Sequence, residues 1–367
     1  MKSSHDYDII DSIIETIESE CEKMSKREKW EIPIYSKREI NEAGETIIKE
    51  NVSEKEFRRA INVLNNWRAS HAYPLQVIAS NLRRNNKKAI VVQRLKRLDS
   101  IIGKLERFPT MKLYRIEDLG GCRVIVNSIG DVYASAEKYK NSKVRHTFIR
   151  ERDYIKNPKQ SGYRSLHMVY QFHSDTKETY NKNMRIEIQF RTKLQHIWAT
   201  AVEIMGIYTK TSLKSSIGDV NILRFFVLVS SVFALKEGTP VAPNTSDNYA
   251  DLTAELKKIS SETKILDQLN AMSIVINHVK NNKQYKTMEY CILLLNYKTM
   301  TLRILPFNKN EIEKATKVYG RIERMKNPDI DAVLVSATSF DALRAAYPNY
   351  FTDISHFRNM VIDMLKD

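Results

Sequence analysis

Cysteine is scarce in this sequence. Three cysteines, Cys21, Cys122 and Cys291, occur among 367 residues and lie far apart. This excludes a disulfide scaffold and leaves no CxxC pair for zinc, so a reduced, cytoplasmic protein without structural zinc is expected. The longest apolar run, residues 225–235, is shorter than the about 20 residues that cross a bilayer. The first residues also lack an apolar signal core, so no membrane association is expected.

Positive charge is the main compositional feature. Lys and Arg number 59 against 44 Asp and Glu, which gives a formal net charge of +15. A basic surface indicates a polyanionic partner, either nucleic acid or phosphorylated metabolites. An ordinary solvated basic surface explains the charge equally well. The apolar content of 42% is sufficient for a folded core, and the length indicates two domains or one large domain with an appendage.

Hydrophobic periodicity divides the chain into four segments. Residues 1–84 are predicted to be helical and to pack on the core, with one helix within residues 1–30, a loop around residues 30–46 that holds Pro33 and Gly44, and a second helix from near Ser53. Residues 85–212 combine strand and helix patterns, among them apolar–polar alternation over residues 165–172 and 185–191. Residues 213–282 are predicted to be helical, with a helix that is apolar on every side at residues 225–235. Residues 283–367 follow a β-β-α-β-α pattern. The predicted fold class is α+β, with a mixed β-sheet core flanked by helices and a small C-terminal α/β domain.

A basic segment leads into a predicted helix near residue 100. Arg94 and Lys96 precede the helix, and Ser100 and Lys104 lie one turn apart on one of its faces. Free N–H groups and the helix dipole favour an anion at such a helix start. The pattern therefore predicts a polyphosphate site, although a solvated basic helix start explains the same residues.

A carboxylate stands at the entrance of the next predicted strand. Asp118 precedes Gly120 and Gly121, and Arg123 follows them. The glycines allow close backbone approach, and a carboxylate at this position suits Mg²⁺ held together with phosphate oxygens. The alternative is a glycine-rich turn that Asp118 caps.

A basic loop enters a further strand at residues 152–167. Tyr163 and His167 are available there for stacking on a base or hydrogen bonding to it. Glu187 lies on the polar face of the next predicted strand. If the two strands pair, Glu187 and Asp118 would hold one metal ion, and Glu187 would accept a proton from an attacking hydroxyl. The alternatives are a turn aromatic for Tyr163 and a solvated strand carboxylate for Glu187.

The order of these segments carries more information than any one of them. RxKxxxSIxxK, DLGGCR, DYIKNPKQSGYRSLH and EIQFRTKLQHIWA follow one another, and together they resemble the RelA/SpoT nucleotide pyrophosphokinase family over about residues 85–210. The family fold is a mixed sheet flanked by helices. Its enzymes move the β,γ-pyrophosphate of ATP onto a ribose 3′-hydroxyl with the help of Mg²⁺.

The resemblance implies a role for each motif residue. Residues that would contact ATP are Arg94, Lys96, Ser100, Lys104 and Arg123. Residues that would bind the acceptor are Tyr163, by stacking on its base, with His167, Gln189 and Arg191. Asp118 and Glu187 would be the catalytic and Mg²⁺-binding carboxylates. The interpretation depends on these two carboxylates meeting in three dimensions.

Sequences flanking the core resemble a narrower group, the toxic small alarmone synthetases of the CapRel-type fused toxin–antitoxin class. In that group the C-terminal domain has a zinc-finger-like fold without zinc. Its YxxY motif, here Tyr347 and Tyr350, covers the ATP site until a phage capsid protein binds. The implied activity is pyrophosphate transfer to the 3′-hydroxyl of the tRNA CCA end, which stops translation. Candidate tRNA contacts, which also fit a solvated basic face, are Arg83, Arg84, Lys87 and Lys88.

Two other functions stay open at this point. One is a small alarmone synthetase that makes (p)ppGpp or (p)ppApp from free nucleotides. The other is an inactive protein that binds nucleotide or RNA. Long family members carry an HD hydrolase domain, but the HD dipeptide near the start, His5-Asp6, has no recognisable companion ligands. Hydrolase activity is therefore not expected.

Overall fold

A computed structural model of the protein describes residues 30–209, 213, 218–272, 289–296, 301–324, 330–336 and 354–366. The α-helices in these ranges are α1 (Lys37–Ile47), α2 (Glu54–Ser70), α3 (Ala72–Asn85), α4 (Leu98–Arg107), α5 (Ile129–Lys140), α6 (Lys193–Tyr208), α7 (Val220–Lys236), α8 (Tyr249–Thr263), α9 (Ile265–Met272), α10 (Ile312–Arg324) and α11 (Ser355–Lys366). The strands are β1 (Ile90–Leu95), β2 (Gly120–Val126), β3 (Thr147–Asp153), β4 (Leu166–Gln171), β5 (Arg185–Thr192), β6 (Tyr290–Asn296), β7 (Thr301–Phe307) and β8 (Ile330–Ser336).

These strands form one mixed sheet of eight strands in the order β3-β4-β5-β2-β1-β8-β6-β7. The β2–β5 pair is parallel, and the other pairs are antiparallel. The α+β prediction is confirmed. The C-terminal strands extend the sheet through β8, which meets β1 where Arg94 lies opposite Val335. The division of the chain at residue 283 stays a prediction.

Two hydrophobic cores hold the elements together. The first lies between the sheet and helices α1 to α5 and α10, with Trp67 and Ile188 among its buried members. The second gathers α6 to α9 with α11, where Phe357 stacks on Phe226 at 5.8 Å. Helix α7 is apolar on every side because it runs through the middle of this second core. No helix in the described ranges is long and apolar enough to span a bilayer.

Helix α1 corrects one sequence prediction. The loop expected at residues 30–46 is wrong from Lys37 onward, because Ser36 and Glu39 form a capping box that starts a helix. Gly44, which argued for a loop, allows close packing instead, since a Cβ there would lie 2.7 Å from that of Leu113. The helix predicted to start near Ser53 is confirmed as α2. The helix predicted within residues 1–30 lies outside the described residues, apart from its last position.

Candidate active site

One face of the sheet between β1 and β4 carries the predicted site residues. Directly opposed residues in neighbouring strands share a face. Arg123 of β2 lies opposite Gln189 of β5, and Gln189 lies opposite His167 of β4. Glu187 lies in the adjacent row beside Gly121. The alternation predicted for β4 and β5 therefore places these polar side chains together, over a sheet whose other face is core.

Gly121 leaves room in the middle of this face. It lies between Arg94 on one neighbouring strand and Glu187 on the other. A Cβ built at this glycine would meet only the Glu187 carbonyl oxygen, at 3.8 Å, among the described residues. The missing side chain therefore leaves open space between a cation and a carboxylate, at the entrance of β2.

Asp118 lies at this entrance and is gripped by two lysines. Lys96 Nζ is 2.7 Å from Oδ2, and Lys104 Nζ is 2.9 Å from Oδ1. Burial acts to raise the pKa of Asp118, but the two ammonium groups outweigh it and hold that pKa well below its usual range. Burial also lowers the pKa of Lys96, against the opposing charge of Asp118. The carboxylate is therefore ionised at neutral pH.

Glu187 belongs to a closed ring of hydrogen bonds. His167 Nδ1 lies 2.9 Å from Glu187 Oε1, and His167 Nε2 lies 2.8 Å from the Tyr163 hydroxyl. Arg191 donates to that hydroxyl at 3.1 Å and to Gln189 Oε1 at 2.5 Å. Gln189 Nε2 closes the ring by donating to Glu187 Oε2 at 2.7 Å. Every member therefore fixes the orientation of two others.

Electrostatics within the ring favour an ion pair. Burial acts against the charge of Glu187, but the adjacent His167 lowers the pKa of Glu187 to about 2. Burial likewise acts against the charge of His167, but Tyr163 and Glu187 raise its pKa to about 9. At neutral pH His167 is an imidazolium that donates from both ring nitrogens. The Tyr163 oxygen then accepts from His167 and Arg191, which overcomes burial and lowers the pKa of Tyr163 to about 7.

The charge of Asp118 reaches Glu187. It acts to raise the pKa of the Glu187 carboxyl group, as expected for two neighbouring anions. Strand register places the two acidic residues at one end of the sheet, because Gly121, which pairs with Glu187, follows Asp118 by three residues. That the two carboxylates hold one metal ion stays a prediction.

The glycine before Tyr163 explains how its loop is held. Gly162 has a φ of +82°, and a Cβ there would lie 2.9 Å from the Cβ of Ser230 on α7. Ser230 Oγ donates to the Gly162 carbonyl at 2.5 Å, and Arg164 Nε donates to the same hydroxyl at 3.0 Å. Helix α7 thus fixes the loop that presents Tyr163, and only a residue without a side chain fits at position 162.

A cavity of about 540 Å³ opens beside this face. Its polar side is lined by Arg94, Arg123, Tyr163, His167, Gln189 and Arg191. Its opposite wall, from α6, α7 and the segments around them, includes Trp198, Val202, Leu213, Leu223, Phe226 and Val227. The volume falls in the range of small-molecule sites, roughly 300–1,000 Å³. A cavity with cations on one side and apolar groups on the other suits a nucleotide.

Comparison with known proteins finds similarity in the same part of the chain. Residues 93–213 match a protein family described as a region found in RelA / SpoT proteins. Two relatives from Bacillus subtilis (strain 168), GTP pyrophosphokinase YjbM and GTP pyrophosphokinase YwaC, are 33% and 31% identical over 112 residues, or 30% and 29% of this chain and 52% of each relative. The chain thus spans about half the length of these curated relatives.

A solved structure gives a weaker likeness. The GTP pyrophosphokinase family protein from Streptococcus pneumoniae is 23% identical in sequence and superimposes with a TM-score of 0.39. The match covers 50% of this chain and 90% of that one.

Three residues within 93–213 have contacts that sequence reasoning missed. Tyr154 packs edge-on against the His167 ring at 5.2 Å, and Lys159 Nζ lies 4.5 Å from the centre of the Tyr154 ring. Lys159 also lies 5.3 Å from the centre of the Tyr163 ring. Both Tyr154 and Lys159 belong to the DYIKNPK stretch. The motif therefore contained these residues but did not indicate which of its side chains contact His167 and Tyr163.

Glu117 is the third residue. Its carboxylate contacts Arg150 at 3.0 Å, Arg152 at 3.1 Å and Arg185 at 3.2 Å. These arginines come from β3 and β5, so the cluster forms only when the strands assemble. Glu117 therefore fixes a group of cations at the entrance of β2, next to Asp118.

The other predicted ATP contacts lie on α4. Ser100 is exposed on its first turn, and Lys104 follows one turn later, where it reaches Asp118. The structure thus brings Lys104 directly to Asp118 and leaves Ser100 exposed at the helix start. Tyr347 and Tyr350, predicted to cover the ATP site, lie outside the described residues.

The predicted tRNA contacts lie away from the cavity. Arg84, Lys87 and Lys88 are exposed around the end of α3. They precede β1, whereas Arg94 lies near its far end, four residues after Ile90 and so about 13 Å along the strand at about 3.3 Å per residue. Arg83 has structural contacts, because it donates to the Val91 carbonyl at 3.4 Å and to Ser336 of β8.

Proposed function

We propose that the RelA/SpoT region is an ATP-dependent pyrophosphokinase. A ribose 3′-oxygen attacks the β-phosphorus of ATP, the bond from this phosphorus to the α,β-bridging oxygen breaks, and AMP leaves. The hydroxyl proton passes by way of Glu187 to water. The observation that carries this proposal is the pair of ionised carboxylates, Asp118 and Glu187, beside a nucleotide-sized cavity with cations on its polar side.

Cations on the side of the cavity where ATP would lie would bind and orient its triphosphate. Arg94 and Arg123 line the cavity, and Lys96 and Lys104 converge on Asp118. The exposed start of α4, with Ser100, adds free N–H groups to this set. Phosphoryl transfer depends mainly on positioning and charge neutralisation, and this group of cations supplies both.

Asp118 and Glu187 fit a Mg²⁺ ion. Mg²⁺ is bound through one or two carboxylates together with substrate phosphate oxygens, and the two neighbouring anions match that donor set. When bound, the ion would neutralise charge that develops on the phosphate oxygens. Its presence would also offset the repulsion between the carboxylates.

Glu187 would orient the attacking hydroxyl. With a pKa of about 2 it stays ionised and accepts a hydrogen bond, while a proton taken up in the reaction moves on to water. His167 and Gln189 hold both carboxylate oxygens in place. Tyr163 would stack on the acceptor base, and Arg191 fixes the hydroxyl end of its ring.

The acceptor that we propose is the 3′-hydroxyl of the tRNA CCA end, which would make the protein a translation-inhibiting toxin. A tRNA is long enough to reach from the cavity to the exposed Arg84, Lys87 and Lys88, and the net charge of +15 favours a polyanion. A free guanosine or adenosine nucleotide is the second candidate, because the relatives are named GTP pyrophosphokinases.

We also propose that the C-terminal segment restrains the enzyme until a partner, such as a phage capsid protein, binds it. Strand β8 pairs with β1 at Arg94, so this segment contacts a residue that we propose binds ATP. Tyr347 and Tyr350 would complete the restraint. Deletion of residues 283–367 would remove three strands of the sheet, so point variants of these two tyrosines give the cleaner test.

Transfer of label from ATP separates the candidates. The full chain is incubated with ATP labelled at the γ-phosphate and Mg²⁺, together with tRNA, GDP, GTP or AMP. Label on tRNA supports the first acceptor, and label on a free nucleotide supports the second. ATP labelled at the α-phosphate is the control, because its label leaves as AMP.

Variants at Tyr347, Tyr350 and Tyr163 complete this test. No transfer by the wild type, by Tyr347→Ala and by Tyr350→Ala would refute the enzyme and favour a protein that only binds nucleotide or RNA. Tyr163→Ala is expected to lose transfer to either acceptor, and toxicity on overexpression with it. Retained toxicity would contradict the acceptor-site assignment.

A further inference from the structure

The β1–α4 connection, residues 96–98, joins two of the cations that would hold ATP. Lys96 contacts one oxygen of Asp118, and Lys104 of α4 contacts the other. The Lys96 N–H donates to the Leu119 carbonyl at 2.8 Å, which keeps the connection beside the entrance of β2. The position of this connection therefore sets where both lysines meet Asp118.

Two side chains from distant parts of the chain hold the peptide groups of this connection. Arg68 of α2 donates from Nε to the Lys96 carbonyl at 2.6 Å. Glu323 of α10 accepts a hydrogen bond at 3.4 Å from the Leu98 N–H. Leu98 is the first residue of α4, so its N–H lacks a partner within the helix. The backbone on either side of Arg97 is thus held by α2 and by the C-terminal segment.

Arg68 and Glu323 also pair with each other. Their side chains are 3% and 10% exposed, so the ion pair is buried. Tyr319 of α10 donates its hydroxyl hydrogen to Glu323 Oε1 at 2.7 Å, and Arg68 both hydrogen-bonds to Tyr319 and covers its ring at 4.6 Å. Burial acts to lower the pKa of Arg68, but Glu323 and Tyr319 together outweigh it and raise that pKa. Both ends of the pair are therefore charged, and each is fixed by more than one partner.

Packing of α10 on α2 does not by itself call for this pair. Replacing a buried ion pair by apolar residues of similar volume is often neutral or stabilising. Apolar side chains could not, however, supply the hydrogen bonds to the Lys96 carbonyl and the Leu98 N–H. We propose that Arg68 and Glu323 are positioning residues for ATP, which place Lys96 and the start of α4 around its triphosphate. The identity of the ligand rests on the proposed function, whereas the two hydrogen bonds do not.

The C-terminal segment would then support the ATP site as well as restrain it. Glu323 belongs to this segment, so loss of the whole segment would mix the two effects. Point variants separate them, because they should act in opposite directions. Tyr347→Ala should strengthen ATP binding by removing the cover, and Glu323→Met should weaken it by releasing the β1–α4 connection.

Paired variants distinguish positioning from stability. Glu323→Met leaves the buried Arg68 without an opposing charge, so it should lower the melting temperature, and adding Arg68→Met should restore much of that loss. Affinity for ATP should not recover with it. Calorimetric titration of the full chain with ATP and Mg²⁺, without acceptor, should give a Kd at least 10-fold above that of the wild type for both variants. A pair that only stabilised the fold would let ATP affinity recover together with the melting temperature.

Hydrogen exchange tests directly whether the pair holds the connection. In the ligand-free protein the Leu98 amide should exchange at least 10-fold faster in the double variant, whereas amides of β4 should exchange as in the wild type. Glu54→Met combined with Arg58→Met is the matched control, because this ion pair of α2 is 77% and 74% exposed. The control should change neither the Kd for ATP nor the exchange at Leu98.

The possible results separate this proposal from the proposed function. The positioning role is overturned if the double variant binds ATP as tightly as the wild type, or if exchange at Leu98 is unchanged. Absence of ATP binding by the wild type would instead refute the proposed function. Exchange at Leu98 would then decide whether the ion pair holds the β1–α4 connection.

Discussion

The two halves of the sheet, β1 to β5 and β6 to β8, differ in the side chains that their faces carry. In β5, Glu187, Gln189 and Arg191 alternate with core residues such as Ile188, and all three polar residues belong to the hydrogen-bonded ring. In β6, all seven residues from Tyr290 to Asn296 are buried, and the central five are apolar. One half therefore presents polar side chains on one face, whereas β6 in the other half is buried on both faces.

This difference explains why the candidate site stops at β1. Polar side chains inside a protein need partners, and among the described residues the β1-to-β5 half provides them in the closed ring beside the cavity of about 540 Å³. The β6-to-β8 half contributes buried apolar area, and it protects the edge of β1 that would otherwise be unpaired. Changes in the first half should mainly affect transfer, and changes in the second should mainly affect stability.

The largest expected effect is on the rate of pyrophosphate transfer, after a change in the half of the sheet that carries the candidate site. Glu187→Gln keeps the shape and an acceptor for His167 but removes the charge, so transfer should fall about 10²–10⁴-fold while the protein stays folded. Initial rates with labelled ATP measure the transfer, and a circular dichroism spectrum shows whether the protein is folded. Glu178→Gln, an exposed carboxylate shortly before β5, is the matched control. An unchanged rate in Glu187→Gln would refute the role of this carboxylate.

The covered half should respond in stability instead. Ile292 of β6 is fully buried and packs in the first core. Ile292→Ala should lower the free energy of unfolding by about 2–5 kcal/mol, and Ile292→Val by about 0.5–1.5 kcal/mol, because each leaves a cavity of different size. Denaturant unfolding measures both values. Equal, near-zero losses would show that β6 is not packed as described.

The same contrast explains how far the sequence could predict the structure. Alternation identified β4 and β5, and the apolar run identified α7, because burial on one face or on all sides leaves a local pattern. Strand β3 escaped prediction because it is an edge strand of mostly exposed residues without alternation. The joining of β8 to β1 is a long-range contact that no local pattern encodes.

The site was predictable in its parts but not in its connections. The motifs indicated Asp118, Tyr163 and His167, since charged and aromatic residues cluster around glycines there, and alternation indicated Glu187. The closed ring depends on strand register, which brings Gln189 opposite His167. The arginines around Glu117 come from separate strands, so their convergence follows from the fold rather than from spacing.

Gly162, in the loop that presents Tyr163, packs against α7. Gly162→Ala should lower the free energy of unfolding by about 1–2 kcal/mol for the left-handed backbone, and by more because the Cβ approaches Ser230 at 2.9 Å. Displacement of Tyr163 should also raise the KM for the acceptor. Gly238→Ala is the matched control, because Gly238 has a φ of +64° but its Cβ would have no neighbour within 4 Å among the described residues. If both variants lose transfer equally, the loop does not position Tyr163.

The smallest effect is a pH dependence specific to the ring. The folded protein raises the pKa of His167 from its ordinary 6.5 to about 9, so the imidazolium contributes stability that is fully present below pH 6.5 and is lost as the pH rises through about 9. The difference in melting temperature between the wild type and His167→Gln should therefore be largest at pH 6 and shrink by pH 9.5. His173→Gln, at an exposed histidine just after β4, corrects for general pH effects. A difference that stays constant over this range would mean that His167 is neutral in the folded protein, and the ring would then lack the cation that keeps Glu187 ionised.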